Sequence, residues 1–136
     1  MSTKNPNKQR LRAFNSPMHT ARKNIRARLA TKDEKFAGIR SVTVRVGDTV
    51  EVQRGDFGTP SMGKRNKDKR GRAGVEAKVI GIDSSNGKII IEGITQSKAD
   101  NKEVAYPIHV SNVVVTKLDE SDPIRIKKLL NRGDSK

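Results

Sequence analysis

The sequence lacks cysteine altogether, since none occurs among its 136 residues. That absence excludes a disulfide scaffold and cysteine-based zinc fingers. Long apolar runs are missing too, because the longest, 89–91 and 113–115, are far shorter than the roughly 20 residues that cross a membrane as a helix. The basic N-terminus is not followed by the apolar segment of a signal peptide. We therefore expect a soluble, intracellular protein with no membrane partner.

Aromatic side chains are scarce, at 3% of the chain, and comprise Phe14, Phe36, Phe57 and Tyr106. Proteins that read single-stranded RNA by stacking bases on a sheet need an aromatic platform, and the sequence shows none. Any RNA partner is therefore expected to be folded RNA or a duplex backbone, recognised by shape and phosphate contacts. Phe57 lies at a predicted loop tip, where it either belongs to the core or stacks on an exposed base.

Candidate catalytic groups are also few. His19 and His109 are the only histidines, and without cysteine they supply at most two imidazoles to a metal. The stretch from Gly58 to Lys64 has the G-x-x-x-x-G-K spacing of a phosphate-binding loop, but Arg65 stands where Ser or Thr must bind magnesium. We interpret that match as chance and expect no enzyme activity, no cofactor, no metal and no small-molecule substrate.

Hydrophobic residues make up only 32% of the chain, so the core must be small and part of the chain must lie outside it. Of the Leu, Ile, Val and Phe residues, 21 fall within 42–118, and 19 of these are Val or Ile. β-Branched side chains suit the half-buried, pleated surface of a sheet. The sequence therefore predicts one compact domain with appendages, whose core is β and lies within 42–118.

Positive charge is concentrated outside that predicted core. The chain carries 29 Lys and Arg against 15 Asp and Glu, a net charge of +14, of which residues 1–46 contribute +10 and residues 58–74 contribute +5. Lys and Arg that displace condensed counterions supply much of the affinity of proteins for a phosphate backbone. The asymmetry therefore predicts polyanion binding by an N-terminal arm and by the basic insertion at 58–74.

Capping signals predict three helices. Ser16 and Pro17 form a helix start, and Thr31 to Glu34 fits a capping box. The helix after Pro17 carries cations around much of its circumference and is expected to gain little from packing on its own domain. The helices are expected from Ser16-Pro17 to Leu29, from the capping box to Gly38, and from Asp122-Pro123 to Gly133.

Alternating apolar residues and turn signals predict a small barrel of short strands. Asn86-Gly87 is typical of a two-residue hairpin turn, and Asp100-Asn101 is the expected turn of an excursion over 94–110. The insertion at 58–74 has no apolar periodicity and is expected to be disordered on its own. Strands are predicted at about 42–46, 49–53, 76–83, 88–92 and 112–117.

Several segments together resemble a known family. V-G-D-T-V-E-V-Q-R-G-D-F (46–57), A-K-V-I-G-I-D (77–83) and K-I-I-I-E-G-I (88–94) are similar to the KOW motif, which transcription elongation factors also carry. The flanks resemble the archaeal and eukaryotic branch of the universal large-subunit ribosomal protein twenty-four family, called protein twenty-six in eukaryotes. The resemblance covers roughly 8–120 apart from the insertion. The flanking segments are K-Q-R-L-R-A-F-N-S-P-M-H (8–19), G-I-R-S-V-T-V-R-V-G-D (38–48), S-K-A-D (97–100) and Y-P-I-H-V-S-N-V-V-V-T-K-L (106–118).

The resemblance implies a mainly β fold, a small SH3-like barrel with a basic α-helical N-terminal arm and a short C-terminal helix. The expected division is a basic arm with two short helices at 1–41, a KOW barrel at 42–118 that contains the insertion loop 58–74, and a C-terminal helix and tail at 119–136. Ala77 departs from the family's pattern, in which glycine precedes the second strand. Because alanine adopts positive φ only at a cost, either the backbone differs there or Gly74 makes the turn.

The resemblance further implies a structural constituent of the large ribosomal subunit, located in the cytoplasm. Members of the family bind the 5′ region of large-subunit rRNA, act early in assembly and lie near the exit of the nascent-peptide tunnel. The implied partners are that rRNA and neighbouring large-subunit proteins. The alternative is a KOW-type transcription elongation factor that binds RNA polymerase. That alternative requires an α/β domain ahead of the KOW segment, and the first 41 residues are too basic and too poor in apolar groups to form one.

The candidate rRNA-binding residues come from the resemblance and from the charge of the insertion. The family's basic arm maps onto Lys8 to Arg28, its KOW loop onto Arg54 to Phe57, and its Y-P-I-H-x-S-N signature onto Tyr106 to Asn112. The full set is Lys8, Arg10, Arg12, His19, Arg22, Lys23, Arg26, Arg28, Arg40, Arg45, Arg54, Gly55, Asp56, Phe57, Lys64, Arg65, Lys67, Lys69, Arg70, Arg72, His109 and Asn112.

Overall fold

The computed structural model describes residues 3–31, 33–36, 38–55, 57 and 74–134. Two predictions concern residues outside the described ranges. These are the disorder of the insertion and the match to a phosphate-binding loop at Gly58 to Lys64. In chain order the elements are α1 (Pro6–Phe14), α2 (Met18–Asn24), β1 (Arg26–Leu29), a 3₁₀ helix (Glu34–Phe36), β2 (Ser41–Thr43), β3 (Thr49–Val52), β4 (Glu76–Asp83), β5 (Lys88–Ile91), β6 (Thr95–Ser97), β7 (Glu103–Ala105), β8 (Ile108–His109), a second 3₁₀ helix (Val110–Asn112), β9 (Val113–Lys117) and α3 (Pro123–Asp134).

Seven strands form one sheet in the order β2-β1-β9-β3-β4-β5-β8, and β6 pairs with β7 in a separate hairpin. The pairing of β1 with β9 is parallel, and the other described pairings are antiparallel. Register shifts occur between Thr49 and Val50 and between Val79 and Gly81. Such bulges increase the local twist and help a sheet to curve around its core. The predicted fold class is confirmed: a mainly β, small barrel-like fold with an N-terminal helical segment and a short C-terminal helix.

Alternation of apolar and polar residues builds the barrel core. Val50 and Val52 of β3 are completely buried, and so is Ile89 of β5, whereas Thr49 and Glu51 are partly exposed. This period of two places the Val and Ile side chains of each strand on one face of the sheet. The five strands predicted from the sequence are all present, with ends that differ by up to three residues.

The predicted helix from Ser16-Pro17 to Leu29 is wrong in its second half. The helix ends at Asn24, with Pro17 rather than Ser16 as its N-cap, and Arg26–Leu29 form strand β1. R-A-R-L alternates with a period of two, and Ala27 and Leu29 lie in the core. Because Ala27 pairs with Val42 and Leu29 with Val115, sheet pairing outweighs the helical propensity of this segment.

The core therefore extends upstream of residue 42, contrary to the prediction. Ile25, Phe36 and Ile39 are buried in the same cluster as the strand residues. α1 is different: the Asn5 side chain caps it by accepting from the Asn7 N–H, and none of its residues is buried. The boundary between arm and barrel at 41/42 thus separates residues that share one core, and the three-part division of the chain stays a proposal.

The β4–β5 connection is longer than predicted. Asp83 pairs with Lys88, so four residues rather than Asn86-Gly87 alone form the loop. The Asp83 carboxylate accepts from the Ser85 N–H at 3.1 Å and from the Asn86 side-chain amide at 2.7 Å. These bonds, led by that of the Asn86 side chain, lower the pKa of Asp83. The predicted turn at Asp100-Asn101 is confirmed, with Asn101 at a φ of +58°.

This chain has Ala77 where the resembled family has glycine. The backbone at Ala77 and Gly74 decides between the two alternatives for this turn. Ala77 lies within β4 and pairs with Val50, so it needs no positive φ. Gly74 has a φ of +70°, a conformation that glycine adopts without steric cost. Gly74 therefore makes the turn that precedes β4.

The helix α3 starts at Pro123 as predicted but runs through Gly133 to Asp134. Asp122 caps it, because its carboxylate accepts from the Ile124 N–H at 3.0 Å and from the Arg125 N–H at 3.2 Å. It also accepts from the Arg45 guanidinium. These interactions, led by the bond from Arg45, lower the pKa of Asp122. Ile126, Leu129 and Leu130 pack against the barrel core.

We expect Asp122→Asn to reduce the acid sensitivity of folding. Since the folded pKa of Asp122 lies below the ordinary aspartate value of 3.8, its stabilisation is fully present above that value and is lost as the pH falls through the folded pKa. Asparagine keeps a capping oxygen but cannot titrate. The variant should be less stable than the wild type at pH 6 and should converge with it in acid. Urea unfolding at several pH values measures this, and a constant difference between the two proteins would contradict the assignment.

Candidate nucleic-acid interface

The described N-terminal residues 3–31, here called the acid-free segment, carry eight Lys and Arg and no Asp or Glu. All eight cationic side chains are exposed. On α1 these are Lys8, Arg10 and Arg12, and Arg10 donates to the Asn7 side-chain carbonyl at 3.1 Å. Because the segment itself contains no carboxylate, it produces a concentrated positive potential.

The helix α2 places further candidates beside the barrel. Its Arg22, Lys23 and His19 are exposed, while Ala21 is buried. The Met18 sulfur accepts a hydrogen bond from the Ser85 hydroxyl at 3.8 Å, which places the start of α2 close to the β4–β5 loop. A cleft of about 680 Å³ is lined by residues of both helices, including Arg12 and Asn24.

Strand β1 directs its arginines outward. Arg26 and Arg28 are exposed because the alternate residues, Ala27 and Leu29, point into the core. The Arg26 guanidinium donates to the Ser41 carbonyl at 3.2 Å and to its hydroxyl at 3.0 Å, which fixes its direction along the sheet. Arg40 is exposed just before β2. This arrangement extends the positive surface from the two helices onto the barrel itself.

The KOW loop starts where the chain leaves β3. The Gln53 and Arg54 N–H groups donate to the Asn112 carbonyl at 2.9 and 3.3 Å, so the backbone of Asn112 holds the base of the loop. Gly55 is exposed, with a φ of +96° that a residue with a Cβ rarely adopts. Arg54 is exposed as well. Asp56 and the insertion residues Lys64, Arg65, Lys67, Lys69, Arg70 and Arg72 lie outside the described residues.

Two candidates have a structural role that the sequence left open. Phe57 is partly buried against the barrel core, and its ring lies 5.5 Å from that of Tyr106. The packing therefore favours the core alternative over stacking on a base. His109 is exposed, and its Nδ1 accepts from the Ser111 N–H at 3.2 Å. This bond caps the short helix that leads into β9.

Arg45 is exposed and forms an ion pair with Asp122. Its backbone N–H donates to the Asp48 carboxylate at 2.8 Å. Arg45 thus links the turn before β3 to the start of α3. Because the Asp122 carboxylate already neutralises part of its charge, Arg45 is a weaker candidate for a phosphate contact than its place in the sequence suggested.

The buried ion pair between Asp48 and Arg125 was not predicted from the sequence. Asp48 is completely buried and Arg125 is 7% exposed, and two guanidinium nitrogens each donate to a different Asp48 oxygen at 2.7 Å. Arg125 also donates to the Thr43 carbonyl at 3.0 Å, and Asp48 accepts from the Asp119 N–H at 2.9 Å. The Gly47-Asp48 dipeptide predicted only a turn, and no local pattern pointed to a partner 77 residues away.

Two findings bear on other classes of site. Among the described residues, no group of three or more His, Asp and Glu side chains is arranged to hold a metal ion. The described helices include none that is both long and apolar enough to span a bilayer.

The fold and its exposed cations define a class of small, basic, barrel-like β proteins with a helical extension. The family described as ribosomal proteins L26 in eukaryotes and L24 in archaea matches residues 3–132. The protein named large ribosomal subunit protein uL24 is 38% identical in Natronomonas pharaonis over 133 residues, 98% of each chain. Its namesake in Methanosarcina barkeri is 36% identical over 95% of this chain and 98% of its own. That of Sulfolobus acidocaldarius is 36% identical over 93% of this chain and 83% of its own.

The chain therefore belongs to this family of ribosomal proteins. Members are structural proteins and not enzymes, which agrees with the prediction from the sequence. The family match also favours the ribosomal interpretation over a transcription elongation factor, because the matched region covers the helices, the barrel and α3 together.

Proposed function

We propose that this protein is a structural constituent of the large ribosomal subunit and binds the 5′ region of large-subunit rRNA in the cytoplasm. It supports early assembly of the subunit and lies near the exit of the nascent-peptide tunnel, beside other large-subunit proteins. The names of the three relatives support the large-subunit assignment. The finer statements rest on the resemblance of the motifs and on the distribution of charge.

The single observation that carries RNA binding is the acid-free segment with all eight of its cations exposed. Phosphate contacts from Lys and Arg release counterions and dominate the affinity of proteins for nucleic acids. Arg26 and Arg28 strengthen the argument, since they project from a strand anchored in the core and are therefore held in position. In this proposal, residues 1–41 act as the RNA-binding arm, 42–118 as the supporting barrel and 119–136 as the attached helix and tail.

The test is a full-length Arg26→Gln/Arg28→Gln variant binding a transcript of the 5′ region of large-subunit rRNA. We expect the logarithm of the binding constant to depend less steeply on the logarithm of salt concentration, by about 0.7–0.9 for each lost phosphate contact. Both side chains are exposed, so the thermal unfolding midpoint should change little. Filter binding or fluorescence anisotropy over a salt series gives the slope.

The matched control is Lys98→Gln/Lys102→Gln, which removes the same charge from the β6–β7 hairpin. These lysines are exposed and outside the acid-free segment, so the salt slope should stay at the wild-type value. An equal loss in both variants would indicate general attraction of a basic protein to RNA and would sink the proposed interface.

A further inference from the structure

The helix α1 carries apolar side chains that the described chain leaves uncovered. Leu11 is 60% exposed and Phe14 is 89% exposed, and no residue of the helix is buried. A helix of nine residues is marginal in water without tertiary packing. The described residues leave the aromatic ring uncovered, and further contacts would stabilise this segment as a helix.

The face around Phe14 combines an aromatic ring with a guanidinium. Arg10 precedes Phe14 by four residues, so the two side chains lie on the same side of α1. The bond from Arg10 Nη1 to the Asn7 side chain, 3.1 Å long, holds the guanidinium on the N-terminal side of the ring. Aromatic rings and guanidinium planes are the two side-chain surfaces on which nucleobases stack.

Charge identifies the chemistry of the missing partner. The surrounding acid-free segment holds eight exposed cations and no carboxylate. An apolar protein surface would have to desolvate these cations without compensation, whereas a nucleotide brings a phosphate for them and a base for the ring. The observations therefore favour RNA over an apolar protein surface as the occupant of this face.

We infer that Phe14 is a stacking platform for an unpaired base of the bound RNA, and that Arg10 on the same side of the helix contacts a neighbouring phosphate. The inference rests on the proposed function and deepens it, because the binding mode then includes a base contact in addition to phosphate contacts. It revises the expectation that the sequence offers no aromatic surface for stacking. Stacking on a base was considered for Phe57 from the sequence. Because Phe57 is packed on the barrel, we assign that role to Phe14.

The test compares Phe14→Ala, Phe14→Leu and Phe14→Trp in the full-length protein, with the same rRNA transcript. Truncating an aromatic that stacks on a base weakens binding by about 5- to 150-fold. Phe14→Ala and Phe14→Leu should both show a loss in this range, while Phe14→Trp should bind at least as well as the wild type. Alanine and leucine are better helix formers than phenylalanine, so a loss cannot arise from a weakened helix.

The salt dependence separates stacking from charge. Phe14→Ala should leave the slope with salt concentration unchanged because it removes no cation, whereas Arg10→Gln should lower it. Val104→Ala, which truncates an apolar side chain 41% exposed on β7, is the control and should bind normally. Ultraviolet crosslinking followed by mass spectrometry should attach a nucleotide to the peptide that contains Phe14.

Two outcomes overturn the inference. Wild-type affinity of Phe14→Ala would show that this face binds a protein or nothing. Wild-type affinity of Phe14→Leu together with a loss in Phe14→Ala would show a merely hydrophobic contact. Neither outcome affects the proposed function. That proposal fails if the Arg26→Gln/Arg28→Gln variant keeps the full salt slope, or if the Lys98→Gln/Lys102→Gln control loses as much.

Discussion

Replacing Arg125 with methionine should lower the free energy of unfolding by about 3–5 kcal/mol, the usual cost of removing one partner of a buried ion pair. The variant leaves the Asp48 carboxylate completely buried without its bidentate partner. The two remaining bonds to this carboxylate come from the N–H groups of Arg45 and Asp119. They cannot compensate a full negative charge away from water. Equilibrium unfolding in urea, followed by circular dichroism, measures the change.

The matched control is Arg132→Met, the same substitution on an exposed residue of the same helix. It should change the free energy of unfolding by less than about 0.5 kcal/mol. A cycle with Asp48→Asn and the double variant isolates the coupling between the two side chains. If Arg125→Met were no more destabilising than Arg132→Met, the ion pair between Asp48 and Arg125 would not stabilise the attachment of α3 to the barrel.

The second expected result is that deleting residues 1–40 prevents folding, whereas deleting residues 1–15 does not. The longer deletion removes β1, which lies between β2 and β9 in the sheet. It also removes the buried side chains of Ile25, Leu29, Phe36 and Ile39. At about 1.5–3 kcal/mol for each large buried side chain, their loss is comparable to the whole stability of a typical domain, about 5–15 kcal/mol.

The shorter deletion removes α1, which has no buried residue, and should leave the unfolding midpoint within a few degrees of the full-length value. Near-ultraviolet circular dichroism and amide proton dispersion in NMR spectra report on the two truncated chains. A folded chain that starts at Ser41 would contradict the assignment of β1 to the barrel core. RNA binding by the shorter variant then measures what α1 contributes, without the complication of unfolding.

The strands of the KOW segment were predictable because their signals are local. Val50 and Val52 alternate with polar residues, and Asn101 occupies a turn position where asparagine tolerates a positive φ. The cations of the acid-free segment were equally visible, since charge and the absence of acids can be read without a fold. For these features the sequence pattern and the structure agree because neighbouring residues alone decide them.

Other features depended on distant contacts. The segment R-A-R-L became a strand because β2 and β9 were there to pair with it. The alternatives for Phe57 were separated by its packing against the core and Tyr106. Phe14 could be recognised as uncovered only once α1 was seen to bury nothing. Each of these outcomes rests on residues that are close in space and far apart in the chain.

Composition, alternation and motifs were enough to predict a basic, mainly β protein that is not an enzyme, because they are properties of short segments. The sequence also identified the family, since the flanking motifs are read residue by residue. Long-range packing was required to show that Asp48 and Arg125 form a buried pair, that β1 lies between β2 and β9, and that the Phe14 ring is exposed. The physical reason is that burial and pairing are set by long-range packing, which assigns each side chain a neighbour that no local pattern specifies.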